Sequence, residues 1–367
     1  PTGLVGSEMC IRDRDLFGEL FSELQERGAQ QRVFYPRNKK HRKVHTDRPY
    51  HIESPLILGT LTKVSFQEKQ RRMRQYYDPL FQETRPDLIH AHTLFSDGSL
   101  AYHYHKKYHT PYMVAIRSSD MDVFMKYKPW LVSHAKQIVE NASYVICISP
   151  SIKKQFLKKF GDRYESRSRV LPNGIHPGYF RNPVAENKEA HTAPELLYVG
   201  SFLKRKNVTS LIKLVQRTDA RLTLVGQGGG HQKYVLRKIR NDPKITYLGT
   251  IGDPEQLSLV YRQSDIFIMT SRRETFGRVY LEAMSQGTPL IYSLETGIDG
   301  FFEEGSVGYG VSPGSLPEME EAMTRILANY REISGKCISE TGKFKWEGIA
   351  DSYMDLYQSL FARTLDR

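Results

Sequence analysis

The feature that most constrains this chain is an alternation that runs twice. Short runs rich in β-branched and aromatic residues recur, each followed by an amphipathic stretch of helical period. The first half reads "QRVFYP", "RPDLIHAHT", "GSLAYHYHKKYH", "PYMVAIRSS", "WLVSHAKQIVENA", "SYVICISP", "SIKKQFLKKFG" and a closing "SRVLPNGIH". The second reads "ELLYVGS", "VTSLIKLVQ", "RLTLVGQ", "QKYVLRKI", "ITYLGT", "EQLSLVYRQ" and "DIFIMTS", then a helix, "TPLIYS" and "PEMEEAMTRILANY". Strand and helix in strict turn imply parallel sheets covered on both faces. Between His176 and Pro194 the pattern lapses into a Pro- and Asn-rich stretch, which reads as a linker between two domains. The last stretch, "FKWEGIADSYMDLYQSLFART", reads as one amphipathic helix.

Composition agrees with two globular domains. The 367 residues are 39% hydrophobic and 26% charged, and no apolar run approaches the ~20 residues of a membrane span. Three cysteines without metal-type spacing fit a reducing compartment, so a cytoplasmic protein is expected. The net charge of +12 falls entirely before Glu186, with 30 basic against 18 acidic residues up to Ala185. Basic clusters lie at Arg37–Lys43, Lys69–Arg74 and Lys153–Phe160. They read as solvated faces or as contacts to an anionic membrane surface. No nucleic-acid motif accompanies them, so nucleic acid is not an expected partner. The first fourteen residues, "PTGLVGSEMCIRDR", read as a tail foreign to the fold, with the first strand of the domain expected to be missing before Asp15.

Several motifs carry chemistry. "SRRETFGRVYLEAMSQGTPLI" places Glu274 and Glu282 near the start of a helix, eight steps apart. At about 100° per residue, two such carboxylates on one helix lie about 80° apart and can face one crevice. Ionised carboxylates accept hydrogen bonds only, and a sugar diol supplies donors. "GQGGG" lacks the spacing of a dinucleotide fingerprint and reads as a glycine turn. Asp120-x-Asp122 in "SSDMD" matches, as a short and isolated signal, the metal-binding carboxylate pair of GT-A transferases.

The ordered set "YVGSFLKRKNV", "LTLVGQGGG", "ITYLGTI", "DIFIMTSRRETFGRVYLEAMSQGTPLI" and "ETGIDGF" resembles the donor domain of the family 4 retaining glycosyltransferases, bacterial surface-polysaccharide type, of the GT-B fold. The likeness extends more weakly through "LIHAHTLFSDG", "VICISPSIKKQF", "VLPNGI" and "FKWEGIADSYMDLY". It implies an α/β protein of two doubly wound Rossmann-like domains with a cleft between them. Residues 15–180 would form the acceptor-side domain and 181–343 the nucleotide-sugar donor domain, with 344–367 a helix packing back on the first.

By the same resemblance, Glu274 faces the donor sugar and Glu282 the ribose. Lys206 pairs with the donor diphosphate, Gly200 belongs to the donor-binding set, and Arg205, with Lys204 as the alternative, stands in for an arginine whose usual place, after Gly200, is held by Ser201. Backbone groups of Thr275, Phe276 and Gly277 meet the diphosphate, and Ile251 the base edge. His92 lines the acceptor side, and Arg117 stands where relatives carry a histidine near the reacting sugar. His176 stands where an aspartate is common, as a linker variation. The implied reaction moves a sugar from a UDP- or GDP-linked donor to a glycan or lipid-linked acceptor, without metal or other cofactor. The implied location is the cytoplasm, peripheral at the inner membrane face. Two other classes stay open: a nucleotide-sugar-binding homologue without turnover, and another GT-B-like enzyme such as a sugar-nucleotide epimerase.

Overall fold

The structure, a computed structural model, describes residues 2–6, 14–38, 48–117, 120–121, 129–181 and 188–365. It divides into two units: residues 1–148, 152–172 and 346–367 form one, and residues 149–151 and 173–345 the other.

The first unit is built on seven parallel strands: β1 (Thr2–Gly6), β2 (Gln30–Phe34), β3 (His51–Glu53), β4 (Leu88–Ala91), β5 (Tyr112–Ile116), β6 (Tyr144–Cys147) and β7 (Ser168–Val170). Their order across the sheet is 3-2-1-4-5-6-7. Every residue of β4, β5 and β6 is buried, as expected of inner parallel strands with helices on both faces. The helices are α1 (Arg14–Glu26), α2 (Thr60–Val64), α3 (Phe66–Thr84), α4 (Ser96–Tyr108), α5 (Val132–Asn141) and α6 (Pro150–Phe160). Ser65 caps α3 by accepting from the Glu68 amide at 3.2 Å.

The segment read as a foreign tail supplies β1, the middle of the sheet, paired to β2 (Val5 opposite Val33) and to β4 (Leu4 opposite Ile89). "TGLVG" holds only two large apolar residues and two glycines, so it carries little strand signal by itself. Ladders on both edges supply what side chains do not. Residues 7–13 lie outside the described residues.

The second unit has six parallel strands: β8 (Glu195–Val199), β9 (Arg221–Val225), β10 (Ile245–Gly249), β11 (Ile266–Met269), β12 (Leu290–Ser293) and β13 (Gly308–Val311). Their order is 10-9-8-11-12-13, the same winding as the first sheet. Helices α7 (Val208–Arg217), α8 (Gln232–Ile239), α9 (Pro254–Gln263) and α10 (Arg278–Met284) connect the strands from β8 to β12, and α11 (Leu316–Ala328) and α12 (Tyr330–Thr341) follow β13. In both sheets the winding reverses direction beside the first strand, between β1 and β4 and between β8 and β11. Ligands of such sheets bind outside the carboxyl ends of the strands at that switch point.

The final helix, α13 (Trp346–Leu365), belongs to the first unit. Its Trp346, Ile349, Tyr353 and Leu360 join Phe17, Leu20, Phe21 and Leu24 of α1 in one buried cluster. Each fully buried large side chain there contributes about 1.5–3 kcal/mol. The main run of the first unit ends at Pro172. The expected linker begins as a 3₁₀ turn, Pro177–Phe180, fixed in the second unit: Gln286 donates to the Tyr179 carbonyl at 2.7 Å and the Tyr179 ring meets Tyr261 edge-on. Residues 182–187 lie outside the described residues.

Candidate functional site

The switch point of the second sheet brings together two loops that are far apart in sequence. One follows β8 and carries the turn Lys204–Lys206; the other follows β11 and carries Ser271–Gly277. They are knitted by backbone. The Arg272 amide donates to the Arg205 carbonyl, and the Arg205 guanidinium to the Arg273 carbonyl, each at 2.8 Å. Asn207, in the left-handed region at φ 58°, sends its side-chain amide to the Thr270 carbonyl. Between the loops, the Lys206 ammonium makes an ion pair with Glu274 and lies 3.4 Å from the Met269 sulfur. Both charged side chains are mostly covered, at 11% and 12% exposed, so the pair is sheltered but not sealed.

Glu274 is held by a third loop. Its amide donates to Thr296 Oγ1 and its carbonyl accepts from the same hydroxyl, both at 2.7 Å. The Gly297 amide donates to that carbonyl as well. A Cβ on Gly277 or Gly297 would fall within 3.4 Å of the Glu274 side chain, so the carboxylate sits in a cradle lined by two glycines at positive φ. The sequence held a signal for this cradle: "ETGIDGF" belongs to the motif set, although neither Thr296 nor Gly297 was assigned a role there.

The two carboxylates do not share one helix. The helix α10 begins only at Arg278, and Glu274 stands in the loop before it. Glu282 lies inside α10, half-buried. The Tyr261 hydroxyl donates to Glu282 Oε2 at 3.1 Å, and Tyr179 bonds to the same side chain. Burial pushes the Glu282 carboxyl above its ordinary range, although Arg278 and the two tyrosines act the other way. Arg278, Tyr261 and Tyr179 were not singled out in the sequence; lone tyrosines in amphipathic or linker stretches carry no motif. His176, read as a linker variation, accepts the Gly178 amide at 3.1 Å and its ring lies in the electrostatic reach of Glu282.

The remaining donor-side residues separate by atom type. Phe276 is 2% exposed and packs against Phe301 and Phe344, so only its backbone can reach a ligand. Thr275 donates its amide to Glu274 Oε1. Ile251 lies half-buried in the loop after β10. The glycine turn is a packing device. A Cβ on Gly226 would lie 2.1 Å from the Gly200 carbonyl oxygen, and one on Gly229 would lie 2.5 Å from that of Phe202.

The first unit gives a different answer at its own switch point. His92, just beyond β4, is 1% exposed. Its ring stacks on His90 with centroids 4.0 Å apart and meets Phe17 and Phe21 edge-on. Burial, then His90 and Arg117, hold its pKa well below the usual histidine range. His90 donates to or accepts from the Tyr357 hydroxyl at 2.8 Å and is held down to about 3. The histidine expected on the acceptor side is thus a buried ring, packed against Phe17 and Phe21 of α1 and stacked on His90. Arg117 donates to the His92 carbonyl at 3.0 Å and lies over the Phe17 ring. Asp120, the described half of the Asp120-x-Asp122 motif, accepts the amides of Arg117 (2.9 Å) and Leu94 (3.4 Å). Burial raises its pKa to about 6. It ties a loop instead of presenting a ligand; Asp122 lies outside the described residues.

Two doubly wound parallel units with a charged, glycine-cradled loop cluster at the second switch point define a GT-B protein. Comparison with known proteins carries this further. Residues 17–179 match the Glycosyltransferase Family 4 model and residues 181–343 the Glycosyl transferases group 1 model. The chain belongs to these family 4 glycosyltransferases of the GT-B fold. It is 25% identical over 280 residues to an uncharacterised glycosyltransferase of Methanocaldococcus jannaschii, covering 75% of this chain and 76% of that one. It is 27% identical over 230 residues to the lipopolysaccharide core biosynthesis glycosyltransferase LpsE of Rhizobium meliloti, covering 60% and 65%. The crystal structure of Anabaena HepE in complex with UDP shares the fold at a TM-score of 0.75 and 16% identity, covering 98% of this chain and 99% of that one.

Proposed function

We propose that this chain moves a hexose from a nucleotide-sugar donor to a glycan or lipid-linked acceptor of a cell-surface polysaccharide, with retention and without a metal. The observation that carries the reading is the Lys206–Glu274 pair at the switch point of the second sheet, with Glu282 on the adjoining helix. A cation and two carboxylates suit the two halves of a sugar nucleotide. Lys206, aided by Arg205 and by the amides of Thr275, Phe276 and Gly277, serves the diphosphate; Glu274 accepts from sugar hydroxyls and Glu282 from the ribose diol. The relative LpsE acts in lipopolysaccharide core biosynthesis, and the neighbour HepE holds UDP. Both favour a polysaccharide product and UDP as the carrier, with GDP the alternative.

In this reading the carboxylates at the site are committed to hydroxyls, so a front-face displacement replaces a glycosyl-enzyme intermediate. The bond from the anomeric carbon to the diphosphate breaks and the bond to the acceptor oxygen forms on the same face. The acceptor's proton passes to the departing phosphate, whose charge Lys206 stabilises. Among the described residues no helix is long and apolar enough to cross a membrane. The basic excess of the first half supports peripheral contact with an anionic inner-membrane face. In the cluster at Arg37–Lys43, residues 39–43 lie outside the described residues.

The test combines binding and turnover. Calorimetry should show UDP or GDP binding without metal, and Glu282→Ala should weaken it about 10–100-fold through the lost charge-assisted bonds. Lys206→Ala should lower turnover about 10²–10³-fold. Unchanged affinity and turnover in both variants would sink the assignment. An epimerase would return an isomerised sugar nucleotide and transfer nothing.

A further inference from the structure

The first unit contains a cavity of about 290 Å³ that runs along α3 from Phe66 to Arg74 and along α4 from Ser99 to Lys106 in its last turn, beside the start of α5. These helices leave the ends of the sheet where parallel α/β units bind ligands. Phe66, Tyr102 and Leu131 supply apolar wall; Arg74, His103, Lys106 and His134 supply nitrogen donors. No acidic side chain lines it among the described residues.

The arginines of α3 make the cavity distinctive. Arg71 and Arg72 both spend their charge on Glu68, at 2.7 Å and 2.6 Å. Arg74, on the same helix, makes no ion pair or hydrogen bond among the described residues and is half-buried at the cavity. Lys106, exposed on α4, lies over the Tyr102 ring, 4.8 Å from the centroid. His134 is fixed by Ser99 Oγ at 2.8 Å. Other charges nearby are Lys107 and Asp78, and the Asp78 carboxylate accepts from the Tyr104 hydroxyl at 3.0 Å. A partly desolvated arginine beside a lysine, with no carboxylate lining the site, calls for an anion.

We infer that this cavity binds a phosphate group borne by the acceptor, with Arg74 and Lys106 as its charge partners and His103 and His134 at its rim. The inference rests on the transferase reading only for the word acceptor. It adds a subsite in the first unit to a donor site built entirely in the second. A volume near 290 Å³ accommodates a phosphate ester with a short stretch of its substituent, and the ring of Phe66 offers that substituent an apolar contact.

The experiment follows the ring signals of His103 and His134 by NMR in the full chain, assigned with His103→Asn and His134→Asn. Inorganic phosphate and a short prenyl phosphate are titrated separately. Both histidine signals should shift saturably, and Arg74→Ala should weaken binding about tenfold while Arg74→Lys retains part of it. A prenyl phosphate that binds about tenfold tighter than phosphate assigns the group to a lipid carrier; equal affinities assign it to a glycan phosphate. Histidine signals that stay still, or shifts indifferent to Arg74→Ala, overturn the inference. UDP affinity is measured on the same samples. Loss there with intact histidine shifts counts against the donor reading alone, and the converse against this subsite alone.

Discussion

The two sheets share one winding and differ in what they place at the reversal. In the second, the loops after β8 and β11 hold a lysine and a glutamate that remain partly open to solvent. In the first, the end of β4 carries two stacked, buried imidazoles, His90 and His92, packed by Phe17, Phe21 and Tyr357, with Arg117 donating to the His92 carbonyl. The same topology thus gives one crevice that can hold charge and one that has been filled by core. What differs is the covering element. The C-terminal helix α13 and the helix α1 bury the end of the first sheet, whereas glycines keep the second open by letting loops approach without side chains.

The contrast can be broken in three places. The largest effect on stability should come from Gly226→Ala. Its φ of 126° and a Cβ placed 2.1 Å from the Gly200 oxygen leave no relaxed position. We expect a loss on the order of 3 kcal/mol, read from denaturant unfolding, with donor binding lost in parallel. A variant as stable as the parent would show that the second crevice does not depend on that close approach.

Glu282→Gln should act in two opposite directions. The folded-state pKa is raised by burial, so the folded protein holds this proton more tightly than the unfolded chain. The group's contribution is then favourable at low pH and is lost as pH rises through the folded value. At neutral pH the neutral glutamine should raise the melting temperature slightly while nucleotide affinity falls. In the parent protein, affinity should weaken on acidification at a pH above the usual glutamate range of about 4.3. A lower melting temperature together with unchanged affinity would remove Glu282 from the ribose role.

The smallest effect is expected from His92→Phe. If the ring is core, UDP affinity should stay within about twofold and stability should change by less than about 1.5 kcal/mol. A collapse of turnover with intact UDP binding would return His92 to the acceptor side and erase the contrast between the sheets.

The donor loops were legible because their chemistry is local and ordered: a basic turn after one strand, a glutamate before a helix and another within it. The positions at fault were those whose environment comes from distant chain. Glu274 was placed at the mouth of the helix, but what holds it there was not visible: Gly277 at φ 79° and the clamp from Thr296 keep the chain off the helix until Arg278. Asp120 had only its spacing to suggest a metal ligand, a reading the motifs of the second half argue against, and its backbone partners at Arg117 and Leu94 were not visible. Tyr179 and Tyr261 had no signal, since a tyrosine becomes a carboxylate partner only when two segments meet.

The sequence by itself determined the alternating architecture, the division near the linker and the charged donor motif, because periodicity and motif spacing are properties of neighbouring residues. Tertiary structure alone decided that "TGLVG" is a central strand, that His92 is buried, and that Arg74 faces a cavity lined by no carboxylate among the described residues. Each of these depends on desolvation and pairing by residues remote in the chain, and neither is written in any local pattern.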